Sequence, residues 1–246
     1  MIHVWSITDV GLVRSENQDA CAVCHEKDAD SVLCVVCDGM GGAAAGQVAS
    51  RIASSTFIES IKGDLRPDMN LEELQKVSLQ AVSCANEAIQ SAVEENADYR
   101  GMGTTLVSAA SIGGDFAICN IGDSRAYHIT PDGITRITRD HSVVESMVER
   151  GDITEEEARH HPNRNLITRA LGLDAATKCD VYDCHLKAGE YLLLCTDGLI
   201  DTVTDQEMLF EVIHGDGIDT CLDRLVAIAK RRGAPDNVTA VLLEKR

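Results

Sequence analysis

The chain has 246 residues, 44% of them apolar, enough to bury the core of one large domain. Forty acidic residues outweigh 22 basic ones, and the formal net charge of −18 excludes nucleic acid and anionic membrane as main partners, because both demand basic surface. Aromatics at 3% offer no platform for stacked bases, and ten cysteines are too few for a disulfide scaffold.

The N-terminus, MIHVWSITDVGLVRSENQD, lacks a basic start followed by a long apolar stretch. The longest apolar runs are about six residues, far short of a membrane span. These features lead us to expect a soluble, cytoplasmic, monomeric protein whose thiols are reduced.

Residues 3–8 and 19–25 read as strands joined by the polar loop GLVRSENQD, which carries Arg14, Asn17 and Asp19. The run Val32 to Cys37 places Val and Cys on both alternations, the pattern of a strand buried on both faces. Its expected partner is 20–25, across the loop EKDAD. The run ends in Asp38, and glycines at 39, 41 and 42 let the backbone turn sharply and approach a neighbour closely. Cys21-x-x-Cys24 and Cys34-x-x-Cys37 resemble zinc-ligand spacing. Residues i and i+3 of a strand face opposite ways, however, so these cysteines are expected in the core.

Ala43 to Lys62 has helical apolar spacing, with Gly63 and Pro67 as its stop; Leu71 to Glu95 is a second, longer helix. The two are expected to pair antiparallel over one face of a sheet. Short strands follow at 104–111, 115–120, 124–129 and 134–138, punctuated by Gly113-Gly114 and Pro131-Asp132-Gly133. Ser142 to Arg150 and Thr154 to His160 read as short helices, the second opened by the Thr154–Glu157 capping box. Residues 151–165 are polar, and His160 and His161 are expected to face solvent. Strands resume at 166–171, 179–185 and 190–196, helices at about 204–213 and 217–231, and a last strand at 237–244. The order implies an α+β fold: a central β-sandwich of two antiparallel sheets flanked by helices, in αββα layers.

The stretch YLLLCTDG repeats the form of VLCVVCDG: an apolar run ending in Asp197-Gly198, as the other ends in Asp38-Gly39. A carboxylate at the end of a buried strand is costly unless it is paired or holds a metal. Asp123 lies in a turn, Asp201 stands one helical turn beyond Asp197 if 198–202 curls, Asp236 opens the last strand, and Asp19 follows Arg14 by five residues. Oxygen-only ligands select Mg²⁺ or Mn²⁺ over Zn²⁺. Arg14 is a planar fork suited to phosphate.

The chain resembles the bacterial metal-dependent protein phosphatases, the PPM or type 2C serine/threonine phosphatases. The resemblance rests on RSENQDA (14–20), VVCDGMGG (35–42), GMGTT (101–105), IGDSRAY (121–127), RDHS (139–142), NLITRALG (165–172), LLCTDGL (193–199) and PDNVT (235–239). Any one motif is weak; eight in family order across the whole chain are specific.

That resemblance implies one phosphatase domain over 1–246, with a flap at about 143–165. It implies a site in which Asp38 bridges two Mn²⁺ or Mg²⁺ ions and the Gly39 carbonyl binds one. Asp197 and Asp236 would complete the first ion, Asp19 would act on the second through water, and Asp123 and Asp201 would hold a third, weaker ion. Arg14 would bind the substrate phosphate. The implied reaction is hydrolysis of phospho-Ser and phospho-Thr in phosphorylated proteins by a metal-activated water, with no protein nucleophile, opposing a bacterial serine/threonine kinase. Met40 departs from many eukaryotic members, which carry a His there proposed as a general acid; Met cannot donate a proton. A catalytically dead relative acting as a binding module would have lost a core acid, and this chain keeps them all. His141 of RDHS reads as a structural hydrogen-bonder.

Overall fold

Apolar residues on both alternations of the central strands set the architecture. The computed structural model describes residues 1–26, 31–42, 45–66 and 68–246. One sheet runs β1 (Ile2–Asp9), β11 (Val238–Lys245), β10 (Tyr191–Cys195), β7 (Arg125–Thr130), β8 (Gly133–Arg136). The other runs β2 (Asp19–Glu26), β3 (Ser31–Met40), β5 (Leu106–Ile112), β6 (Asp115–Ile121), β9 (Asp180–His185), with the short β4 (Gly103–Thr104) beside the end of β3. Every pairing is antiparallel.

The strand β3 shows why the sheets stack. Val32, Cys34 and Val36 meet Ile118, Leu192, Leu194 and Val241 in the core between the sheets. Leu33, Val35 and Cys37 point the other way, into the core beneath helices α1 (Ala45–Asp64) and α2 (Leu71–Glu95). Cys34 and Cys37 thus belong to different cores, as strand geometry requires of residues i and i+3. All ten cysteines are free. On the far side, α5 (Asp197–Ile200), α6 (Asp205–Ile213) and α7 (Cys221–Arg231) cover Tyr127, Leu193, Cys195 and Leu242. The layers are therefore αββα, as expected.

The helices α3 (Val143–Glu149) and α4 (Glu155–Arg159) bury little: Val144 in the first and nothing in the second. The Thr154–Glu157 capping box closes the start of α4, and a second box, Asn70 with Glu73, opens α2. The expected helix start at residues 43–44, the expected stop at Pro67 and the expected loop after Glu26 fall outside the described residues. Gly63 lies within α1, which runs on to Asp64. No helix among the described residues is long and apolar enough to cross a membrane.

Two expected strands change. Residues 166–171 form no ladder, only isolated bridges at Ile167 and Leu171. Thr168 donates to the His141 carbonyl and Leu171 to the Thr104 carbonyl, two partners on different segments, so no continuous pairing develops. The expected strand 134–138 stops at Arg136, because the Thr138 hydroxyl takes the Ala126 N–H at 3.0 Å in place of a backbone partner.

Candidate active site

The antiparallel order brings one end of β2, β3, β6, β7, β10 and β11 together, and the acidic residues sit there. Asp19 and Asp38 are register partners at the ends of β2 and β3. Asp197 leaves β10 into α5, Asp236 precedes β11, and Asp123 lies in the turn between β6 and β7. Residues 198–202 do curl: the Asp201 N–H donates to the Asp197 carbonyl at 2.8 Å.

Backbone bonds hold Asp38 from both sides. Its N–H donates to the Thr105 hydroxyl at 2.9 Å, and its carbonyl accepts from the Thr105 N–H and the Thr104 hydroxyl, each at 2.9 Å. The Thr105 hydroxyl also meets Ser124 at 2.7 Å, tying β3 to the β6–β7 turn. The glycine after each aspartate is required by space. A Cβ on Gly39 would run into the Gly46 carbonyl, and one on Gly198 into the Asn237 carbonyl.

Asn237 anchors the loop that carries Arg14. Its Oδ1 accepts from Gln18 N–H at 2.8 Å, while its Nδ2 donates to the carbonyls of Val10 and Glu16 at 2.9 and 3.0 Å. Arg14 reaches across to Asp236, Nη2 to Oδ2, at 2.7 Å. Arg14 thus stands beside one of the acids, Asp236.

Burial is the largest cause of every carboxyl shift in the cluster. It pushes Asp19 up to about 7 against the lowering bonds from Thr239 and Thr196, the latter donating at 2.9 Å. Burial, then Asp201 and Asp236, pushes Asp197 up to about 6. Burial, then the charge of Asp197, holds Asp38 well above the ordinary carboxylate range. Asp123 is raised by burial, Asp197 and Asp140. Asp201 is also raised by burial, with Arg164 and Arg125 opposing.

Such a cluster is unfavourable by itself, since buried like charges repel and each lost hydration shell costs several kcal/mol. The charge of Asp197 weighs on Asp38, and Asp197 Oδ1 is buried with no hydrogen-bond partner. Among the described residues, no three carboxylate, imidazole or thiol groups already surround one point at ligand spacing. An orphaned carboxylate oxygen amid all-oxygen donors fits a hard divalent cation, whose charge would relieve the repulsion.

A cavity of about 550 Å³ opens beside the acids. Asp123, Asp197 and Asp201 line it from the core, and Arg159, His160 and Arg164 line it from the segment between α3 and β9. Arg164 stands 3.5 Å from Asp201. His160 is exposed and pairs with Glu156, as a solvent-facing residue should. Met40 ends β3 opposite Gly103, with its Cε lying 3.0 Å from where a Gly103 Cβ would be.

Several residues that shape the site were not singled out in the sequence. Thr196 and Asn237 hold Asp19 and the Arg14 loop, and Arg125 grips Asp140 with Nε and Nη2, the shortest bond being 2.6 Å. Thr105, Asp140 and Asn237 all lie within the quoted motifs GMGTT, RDHS and PDNVT, so position in a motif was the available signal.

Known proteins of similar sequence and fold identify the family. The family model for protein phosphatase 2C matches residues 13–242. The serine/threonine phosphatase stp of Listeria innocua is 33% identical over 244 residues, covering 99% of this chain and 96% of that protein. The serine/threonine protein phosphatase PstP of Mycobacterium tuberculosis is 38% identical over 238 residues, covering 96% of this chain and 44% of that longer protein. Among solved structures, serine/threonine phosphatase Stp1 from Staphylococcus aureus superposes with a TM-score of 0.93 at 35% identity, covering 100% of this chain and 96% of that one. The catalytic domain of PstP in complex with two manganese ions superposes with a TM-score of 0.84 at 34% identity, covering 99% and 97%. The eight ordered motifs, the αββα layers and a family match over nearly the whole length lead to one conclusion: the chain belongs to the protein phosphatase 2C family.

Proposed function

We propose that the protein is a metal-dependent serine/threonine protein phosphatase that hydrolyses phospho-Ser and phospho-Thr. The observation that carries this reading is the cluster of the buried Asp19 with the half-buried Asp38, Asp123 and Asp197, the last with its Oδ1 orphaned, in a member of this family. Asp38, Asp197, Asp236 and the Gly39 carbonyl are assigned to the core pair of ions, with Asp19 acting on the second through water. Asp123 and Asp201 are assigned to a third, weaker ion. Mn²⁺ and Mg²⁺ both suit this donor set, and the two manganese ions of the PstP complex support the core pair.

When bound, such ions supply the Lewis-acid charge that lowers the pKa of water and offsets charge on a phosphoryl group. The remaining work falls to the chain. Thr104 and Thr105 orient Asp38. Arg14, 55% exposed and only singly bonded to Asp236, has donors left for a phosphate. Met40 donates no proton, so the leaving oxygen takes its proton from water. We read 1–246 as one domain with a flap at about 143–165. We further take the enzyme to act in the cytoplasm, as a monomer, on phosphorylated proteins, and to oppose a bacterial serine/threonine kinase.

The test is hydrolysis of p-nitrophenyl phosphate and of a phosphothreonine peptide with and without added Mn²⁺. Activity is expected to need the ion, to vanish with EDTA, and to be lost in Asp38→Asn and Asp197→Asn with native circular dichroism. Turnover that survives thorough chelation, or a phosphorylated enzyme intermediate, would overturn the reading.

A further inference from the structure

We propose that His141 is the positioning residue for Asp123, acting through the Gly122–Asp123 turn, with Asp180 fixing its tautomer. The proposal rests on the assignment of Asp123 as a metal ligand, and the test below reads that assignment separately.

The turn between β6 and β7 is held after Asp123 by the Ser124–Thr105 bond and before it by a long 3.4 Å bond from Asn120 Nδ2 to the Gly122 carbonyl. Gly122 adopts φ +102°, a conformation open to glycine, and a Cβ there would strike the side chain of Thr105. His141 closes on this glycine with two bonds. The His141 N–H donates to the Gly122 carbonyl at 2.8 Å. The Gly122 N–H donates to His141 Nδ1 at 3.2 Å. Both backbone polar groups of Gly122, the residue just before Asp123, are thereby tied to one residue 19 positions away.

The second bond demands a particular tautomer. Nδ1 accepts, so in the neutral ring the proton must sit on Nε2. Nε2 lies 3.2 Å from Asp180 Oδ2, an acceptor that stabilises that proton. Arg169 Nη1 donates to Asp180 Oδ1 at 3.0 Å and also stands 2.9 Å from Nε2. With Nε2 protonated, the 2.9 Å approach of Arg169 Nη1 sets one donor against another, and Asp180 holds the two together with an oxygen for each. His141 is only 6% exposed, and its bond from the Gly122 N–H is buried.

The chain Arg169–Asp180–His141–Gly122 therefore links the segment after α4 and the start of β9 to the turn bearing Asp123. His141 itself touches neither substrate nor ion in this arrangement. Its effect is on where the Asp123 carboxylate stands relative to Asp197 and Asp201. Partners that orient metal ligands in this way typically change metal affinity 10–100-fold when mutated.

The experiment compares His141→Asn with His141→Gln by Mn²⁺ titration in a calorimeter, alongside Asp123→Asn. Asn presents an oxygen near the Nδ1 position and can accept from Gly122; Gln presents its polar group near the Nε2 position and cannot. We expect Gln to weaken the weakest Mn²⁺ site about ten-fold or more and Asn to stay within about three-fold of wild type, with the core sites unchanged in both. Equal affinities for the Asn and Gln variants, whether both intact or both impaired, would overturn the proposal. If Asp123→Asn leaves all Mn²⁺ sites intact, the ligand assignment itself fails and the positioning role falls with it. Should Gln prevent folding, nitrogen-15 shifts of the wild-type imidazole decide: Nε2 protonated and Nδ1 accepting supports the proposal, and the reverse tautomer overturns it.

Discussion

Arg14 makes a single 2.7 Å ion pair to Asp236 while more than half of its side chain stays exposed. An exposed pair of this kind contributes little stability, so the residue is free to serve binding. A guanidinium meeting a phosphate makes charge-assisted bonds worth roughly 1.5–3 kcal/mol each. Arg14→Ala is therefore expected to lower kcat/KM at least ten-fold on a phosphothreonine peptide at saturating Mn²⁺. Arg14→Lys keeps the charge without the fork and should lose less. Because Arg14 is bonded to Asp236, an assigned ligand, the comparison is made at Mn²⁺ concentrations that saturate each variant, and an unchanged kcat/KM in Arg14→Ala would remove this arginine from the site.

Two elements near the site invite tests of their own. The first turn of α5 begins at Asp197-Gly198, and Gly198 packs directly on the Asn237 carbonyl at the head of β11. Gly198→Ala would force α5 and β11 apart, at a cost of about 1–3 kcal/mol. It should lower both thermal stability and activity, because Asp197 and Asp236 move with those elements; a variant unchanged in both would refute the packing argument. At α6, Thr204 caps the helix and Glu207 reaches back to it while also pairing with Arg232. Arg232 and the Thr204 bonds hold the Glu207 carboxyl down at about 2, from an ordinary 4.5. A depressed carboxyl stabilises the fold above its unfolded value and stops doing so as pH falls through its folded one. The Glu207 side chain is a third exposed and that of Arg232 nearly half, so about 1 kcal/mol is an upper scale after solvent screening. Glu207→Gln should then be less stable than wild type by up to about that amount at pH 7, with the difference closing between pH 4.5 and about 2 in denaturant titrations. A difference that persists at pH 2 would show that packing, not charge, is responsible.

At the scale of the whole molecule, the acid cluster is a destabilising feature that a bound cation relieves. Anything that binds the folded state alone raises its stability by mass action. The melting temperature should therefore rise with Mn²⁺ concentration and fall on chelation with EDTA, and Asp38→Asn should reduce the gain while raising the melting temperature of the chelated protein. A melting temperature indifferent to Mn²⁺ across millimolar concentrations would contradict the assigned cluster. The net charge of −18 adds general self-repulsion, so moderate salt should stabilise the chelated protein as well.

Local pattern alone determined much of this protein. The double alternation of Val32 to Cys37 announced a strand with two buried faces, and the cores on either side of β3 contain those residues as assigned. The glycines after Asp38 and Asp197 signalled close backbone approach, and each meets a carbonyl. Capping residues and helical spacing located most helices, because these signals act within a few residues. Contacts between segments far apart in sequence were decided only by tertiary structure. Nothing within 166–171 reveals that its backbone bonds divide between Thr104 and His141 and so fail to make a strand. Nothing near Arg14 names Asp236, 222 residues away, as its partner. Likewise, no local pattern shows Asn237 pinning the Arg14 loop or His141 gripping the Gly122 turn. Hydrophobic periodicity records which face of an element is buried, whereas a hydrogen bond between distant segments depends on the register and stacking of whole sheets, which only the folded chain establishes.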